Sequence, residues 1–122
     1  MVLYRPIAGS EYNEVLARDF RSFPPRAEEQ PLFTALLSEE RASRIARRLR
    51  VEPPSDNRSY VVSFLVDDAY IRQFPVQGST ELDGALWIPA EEMEILNQHL
   101  IGDIRVLSSY CLSREDSDLF FA

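Results

Sequence analysis

One stretch constrains the fold more than any other, "SYVVSFLVDDAY" over residues 59–70. In an extended chain Tyr60, Val62, Phe64 and Val66 share one side while Val61 and Leu65 share the other. A strand that is apolar on both sides has to be covered on both faces. The sequence therefore predicts a strand within a sheet that carries further elements above and below it. At 122 residues, one domain can build such a core without disulfide or metal staples. The composition, 45% hydrophobic and 27% charged, is that of a globular chain.

The other elements follow from periodicity and punctuation. Residues 2–7, "VLYRPI", read as a first strand, and "GSEYNEVLARDF" as a helix capped by Ser10. Tyr12, Val15, Leu16 and Phe20 would face inward, and Pro24 and Pro25 would stop the helix. "LFTAL" reads as a second strand. "SEERASRIARRLR" is a helix capped by Ser38, with Ala42, Ile45, Ala46 and Leu49 as a narrow apolar stripe. "FPVQG" suits an edge strand, since Pro75 cannot donate to a ladder. "ALWIP" is a further strand, with Trp87 read as core. "PAEEMEILNQHL" is a helix with Met93, Leu96 and Leu100 inward. Gly102 would then turn the chain into a last strand, "DIRVLSSY".

Several linkers are too short for helical crossovers. The expected fold class is thus α+β, a compact mixed or mainly antiparallel sheet with about three helices. Residues 1–112 form the domain in this reading, and residues 113–122, "SREDSDLFFA", an acidic then apolar tail.

Charge and cysteine usage narrow the chemistry. The net charge is −7, which opposes approach to nucleic acid phosphates. A single cysteine, Cys111, and a single histidine, His99, exclude an intramolecular disulfide and a two-Cys, two-His metal site. A lone cysteine fits a reducing cytoplasm. No run approaches the roughly 18 apolar residues of a membrane span. Glycine-rich dinucleotide and phosphate loops, the serine nucleophile elbow and zinc-protease motifs are absent from the sequence. His99 reads as a surface or capping residue, and Cys111 as a small core residue.

The polar candidates lie elsewhere. Arg5, held by the following Pro6, is either an edge-strand charge or a fork donor to phosphate or carboxylate. Residues 21–33, "RSFPPRAEEQPLF", form a stiff polar-studded segment, either a strap across the core or the wall of a binding site. Thr34, and Glu81 with Asp83 in "TELDG", complete the set.

The order "LYRP", a helix, "FPPR…QPLF", an alanine-spaced helix, "VVSFLV" and "LWIPAEEME" resembles a group of small bacterial proteins associated with ADP-ribosylation, some carrying the name crystallin J1. It is similar to a minimal ADP-ribosyltransferase fold. The resemblance implies that Arg5, beside Tyr4, grips the nicotinamide-side phosphate and ribose. It places Phe33 and Thr34 beside that ribose, with Phe23, Arg26 and Gln30 along the nicotinamide cleft. NAD would be the substrate. A glutamate immediately before "LW" is expected to act on the ribose. Here Ala85 stands in that position, so Glu81 or Asp83 would have to substitute.

Two functions follow as expectations. One is an ADP-ribosyltransferase-like domain that binds NAD or an ADP-ribosyl group beside the "FPPR" segment, with Arg5, Thr34 and Glu81 as catalytic candidates and a degenerate third motif. The other is a non-catalytic module on the same fold, an antitoxin, immunity or regulatory partner, that binds protein through its tail.

Overall fold

The computed structural model describes residues 1–25, 32–48, 58–74, 76–77 and 85–111. Its strongest strand is interior, paired on both sides, as its apolar character suggests. β3 (Arg58–Val66) pairs antiparallel with β1 (Val2–Ala8) on one side and with β6 (Leu100–Cys111) on the other. β2 (Leu32–Leu36), β5 (Ala85–Pro89) and the short β4 (Val76–Gln77) complete a six-stranded sheet in the order β4-β5-β2-β1-β3-β6. Every registered pair is antiparallel, which narrows the mixed-sheet expectation. β4 occupies the edge, where "FPVQG" was expected to lie.

Elements pack on both faces, though on the second the cover is partial and Leu65 of β3 stays exposed. Leu3, Ile7, Phe33, Val62, Phe64, Val66, Leu86 and Ile88 alternate onto one face and form the larger core. Val15 of α1 (Gly9–Ala17) and Met93 and Leu96 of α4 (Met93–Gln98) close it from above. On the opposite face, Leu36, Val61 and Ala85 pack against Ala42 and Ala46 of α2 (Glu39–Ala46). The two alanines let the helix approach closely, and Ser59 fastens it by donating to the Ala46 carbonyl at 2.6 Å.

Several local expectations need correction. Ser38 does cap α2, accepting from the Arg41 amide at 3.2 Å, but Ser10 caps nothing. Helix α1 starts two residues earlier, with Ala8 at the cap position and no side-chain bond. It ends at Ala17, well before the prolines, because Asp19 and Phe20 enter the left-handed region (φ 59° each). That turn leaves Leu16 exposed. β3 stops at Val66, and the next residues form a single helical turn, α3 (Asp68–Ile71). A fourth helix, and a 3-10 turn (Ala90–Glu92) ahead of α4, extend the expected three. Gly102 does not turn the chain. It sits within β6 at φ 77°, where the register against β3 shifts between Ser63 and Leu65, a bulge that needs glycine's left-handed freedom. His99 is the C-cap of α4, and its ring stacks on Tyr70 at 4.3 Å. Burial and the hydrogen bond that Tyr70 donates to Glu92 raise the Tyr70 phenol above its ordinary range.

The described part of the proline-rich segment crosses the larger core as a strap. Phe23 is fully buried, and Asn97 of α4 grips its backbone on both sides. The Phe23 amide donates to Asn97 Oδ1 at 2.8 Å, and Asn97 Nδ2 donates to the Phe23 carbonyl at 3.0 Å. Asn97→Ala removes both partners of a partly buried backbone unit and is expected to cost about 2 kcal/mol, two bonds at ~1 kcal/mol each. Denaturant unfolding reads this as a lower midpoint at unchanged slope.

Candidate ligand cleft between β1 and β2

The weak seam of the sheet lies at its middle. β1 and β3 are registered from Val2↔Leu65 through Ala8↔Ser59, and β2 and β5 along all of β2. Between β1 and β2 a single pair is registered, Tyr4↔Leu36. Beyond it, toward the end of β1 and the start of β2, no further pair is registered, so the ladder between the two halves of the sheet is interrupted there. Backbone groups that would have formed a ladder there need other partners. Arg5 supplies one, its Nη1 donating to the Thr34 carbonyl at 2.8 Å across the interruption.

Arg5 is therefore neither an edge-strand charge nor a free phosphate grip. It lies on a central strand, 8% exposed, with its side chain in the larger core. Nε and Nη2 donate to the two carboxylate oxygens of Glu11 at 2.8 and 3.0 Å. Its guanidinium carbon sits 4.2 Å from the centroid of the Phe33 ring. Glu11 was not among the candidates read from the sequence; the first turn of α1 places it over β1 as the fork partner of Arg5.

The remaining candidates separate. Phe23 and Phe33 are wholly buried, meeting edge to face at 5.0 Å, and Phe64 joins them at 4.9 Å from Phe23. They are core rings rather than walls of an open cleft. Thr34 and Tyr4 alternate onto the other face, the α2 side, where Tyr4 packs against the smaller cluster. Residues Arg26, Gln30, Glu81 and Asp83, the tail and the Cys111 side chain lie outside the described residues. Ala85 is buried opposite Leu36 in the smaller cluster.

The α2 face of the β2–β5 half carries a residue that sequence reading had assigned to the core. Trp87 pairs with Thr34 and is 48% exposed. The signal was present in "ALWIP". Leu86 and Ile88 both face the larger core, so Trp87 between them must face away. Leu32, two residues from Thr34 on the same face, is also exposed. The open half-sheet thus presents an indole, a hydroxyl and an aliphatic side chain next to the seam.

A groove of about 340 Å³ is lined by Arg41, Arg44, Ile45 and Arg48 of α2 and its C-terminal turn. A second hollow, about 290 Å³, follows the β6 bulge between Val2, Leu65, Ile101 and Arg105. Among the described residues no group of three or more histidine, cysteine or acidic side chains is placed to hold a metal ion. No described helix is long and apolar enough to cross a membrane. Compared with known protein families, with characterised proteins and with solved structures, the chain matches none.

Proposed function

We propose that the chain is an ADP-ribosyltransferase-like domain that binds NAD or an ADP-ribosyl group where the ladder between β1 and β2 is interrupted, and that it binds without transferring. The observation that carries this reading is the single registered pair between those strands. A ladder interrupted at the centre of a sheet offers a ligand backbone groups and a flat aromatic side chain together, as a continuous ladder does not. The order of elements supports the same reading. Arg5 lies in the first strand, a helix follows, Phe33 and Thr34 lie in the next strand, and Ala42 and Ala46 pack the helix after it. Transfer chemistry is disfavoured by Ala85, which offers the ribose no carboxylate, and by Arg5, whose fork is already filled by Glu11.

Trp87 is the only tryptophan, so its fluorescence reports on the platform alone. Titration with NAD or ADP-ribose is expected to quench it saturably, since a stacked base contributes about 1–3 kcal/mol. Trp87→Leu should then weaken calorimetric binding roughly tenfold or more, given 1.4 kcal/mol per decade. Absence of quenching with NAD, ADP-ribose and nicotinamide would overturn the reading.

The alternative, a non-catalytic module that binds protein, is favoured by one feature. β6 is an edge strand whose Ile101, Val106 and Leu107 are exposed, the kind of edge that pairs with another chain.

A further inference from the structure

The β1, β3 and β6 strands share an apolar row that no element among the described residues covers. Val2 is registered with Leu65, and Leu65 with Ile101, so the three lie side by side on one face. Their chain neighbours Leu3, Phe64, Val66 and Leu100 pack in the larger core, which sets the row on the opposite face, the one that carries α2. Helix α2 rests on Leu36, Val61 and Ala85 and stops short of the row, whose members are between 38% and 52% exposed. The row lines the hollow of about 290 Å³ at the β6 bulge, together with Asp103 and Arg105.

We infer that this patch joins two copies of the chain, face to face about a two-fold axis, with Asp103 of each chain set against the partner's Arg105. The inference does not rest on the ligand reading. Trp87 lies on β5, and β2, β1 and β3 separate that strand from β6.

The charges select a second copy as the occupant. Asp103 and Arg105 are exposed, opposite in sign and two residues apart on one strand. Ile104 between them is buried in the larger core, so both charges belong to the α2 face. Neither makes an ion pair or a side-chain hydrogen bond among the described residues. A partner has to offer the same two signs in reverse order, and a two-fold copy does so by construction. The sheet spacings place the axis. With strands about 4.8 Å apart and about 3.3 Å per residue, an axis lying in the interface from Val2 to the gap between Asp103 and Arg105 exchanges the two charges. It also brings Val2 and Leu65 close to their own copies and carries the partner's α2 past the end of the row. Arg105 is long enough to cross the hollow to the opposing carboxylate.

The contact falls on the face of β6 rather than on its edge at this end. The Ile104 amide donates to the Phe20 carbonyl at 2.7 Å and is not free to pair with an added strand. The net charge of −7 opposes association at long range, but it is screened beyond about 8 Å at physiological salt, and the patch itself is neutral. Burial of the aliphatic row supplies the attraction, and the two charge pairs fix the register. Three aliphatic side chains and two charges a side make a small contact, in the class of weak interfaces.

Sedimentation velocity of the full chain at physiological salt, from micromolar to near-millimolar, is expected to show a monomer–dimer equilibrium. Asp103→Arg sets arginines against arginines across the axis, and Arg105→Asp sets aspartates against aspartates. Each variant alone is expected to self-associate about tenfold more weakly or worse, as like charges in contact require. Melting should not change, because both side chains are exposed. An equimolar mixture of the two variants restores both charge pairs and is expected to dimerise about as the wild type does. A wild-type chain that stays monomeric to near-millimolar would overturn the inference and leave the patch to another occupant. Dimers that form equally well in each variant would overturn it too, placing the contact elsewhere, and so would a mixture that associates no better than its components.

Discussion

Phe23→Ala is expected to lower stability by about 3–5 kcal/mol, the range for emptying a fully buried aromatic site. Phe23 has no exposed surface and makes edge-to-face contacts with both Phe33 and Phe64, so the cavity would open at the centre of the larger core. The site has little freedom to collapse. Asn97 holds the Phe23 backbone from α4, and the Ile104 amide donates to the Phe20 carbonyl at 2.7 Å, tying the same strap to β6. For a domain of this size the loss corresponds to a melting temperature lower by on the order of 15 °C. It is also a large share of the roughly 5–15 kcal/mol that holds a typical domain together. The variant separates the two meanings of the proline-rich segment. A ring lining an open nicotinamide cleft would affect melting little and ligand affinity strongly. A core plug does the reverse, and near wild-type melting with lost ADP-ribose quenching would refute the core assignment.

Phe23 also marks the boundary of what the sequence made legible. Strands were readable wherever alternation was two-sided or punctuated. β2 falls on the "LFTAL" segment and β5 on "ALWIP", while β3 begins one residue before the expected stretch and ends before "DDAY". The cap at Ser38 was readable because hydroxyl, acids and alanine spacing agreed. Ser10 carried the same local signal and failed, since the tight exit from β1 starts the helix at Gly9. Ile45 belonged to the helical stripe by spacing, yet α2 rests on its two alanines and leaves Ile45 at the groove. The site was less legible because it depends on which face each strand turns toward which helix. Arg5 and Thr34 are neighbours across the seam, but their side chains point to opposite faces. No spacing in the sequence reveals that. Nor does it reveal that Glu11, six residues on, would fold back to claim the guanidinium.

Arg5→Ala is the second large expected effect, and it concerns folding rather than ligand binding. Removing one member of a buried, forked ion pair strands the other. Here the Glu11 carboxylate, 16% exposed in the intact pair, would lose both bonds of the fork. Breaking such pairs costs about 3–5 kcal/mol, and the residual hydration of Glu11 puts this one near the lower end. Arg5→Met/Glu11→Leu removes both charges while keeping apolar volume against Phe33. Replacement of a buried pair by well-packed apolar residues is often neutral or stabilising. The Thr34 carbonyl, however, loses the donor that spans the seam, worth ~1 kcal/mol. The double variant should therefore unfold only slightly below wild type and far above Arg5→Ala. Urea midpoints for the wild type, Arg5→Met, Glu11→Leu and the double variant complete the cycle, with an expected coupling of about 2 kcal/mol or more between the two side chains. Additive effects would mean the pair contributes nothing beyond its members. A wild-type midpoint for Arg5→Ala together with abolished ADP-ribose quenching would return Arg5 to the ligand and make Glu11 the group that a phosphate displaces.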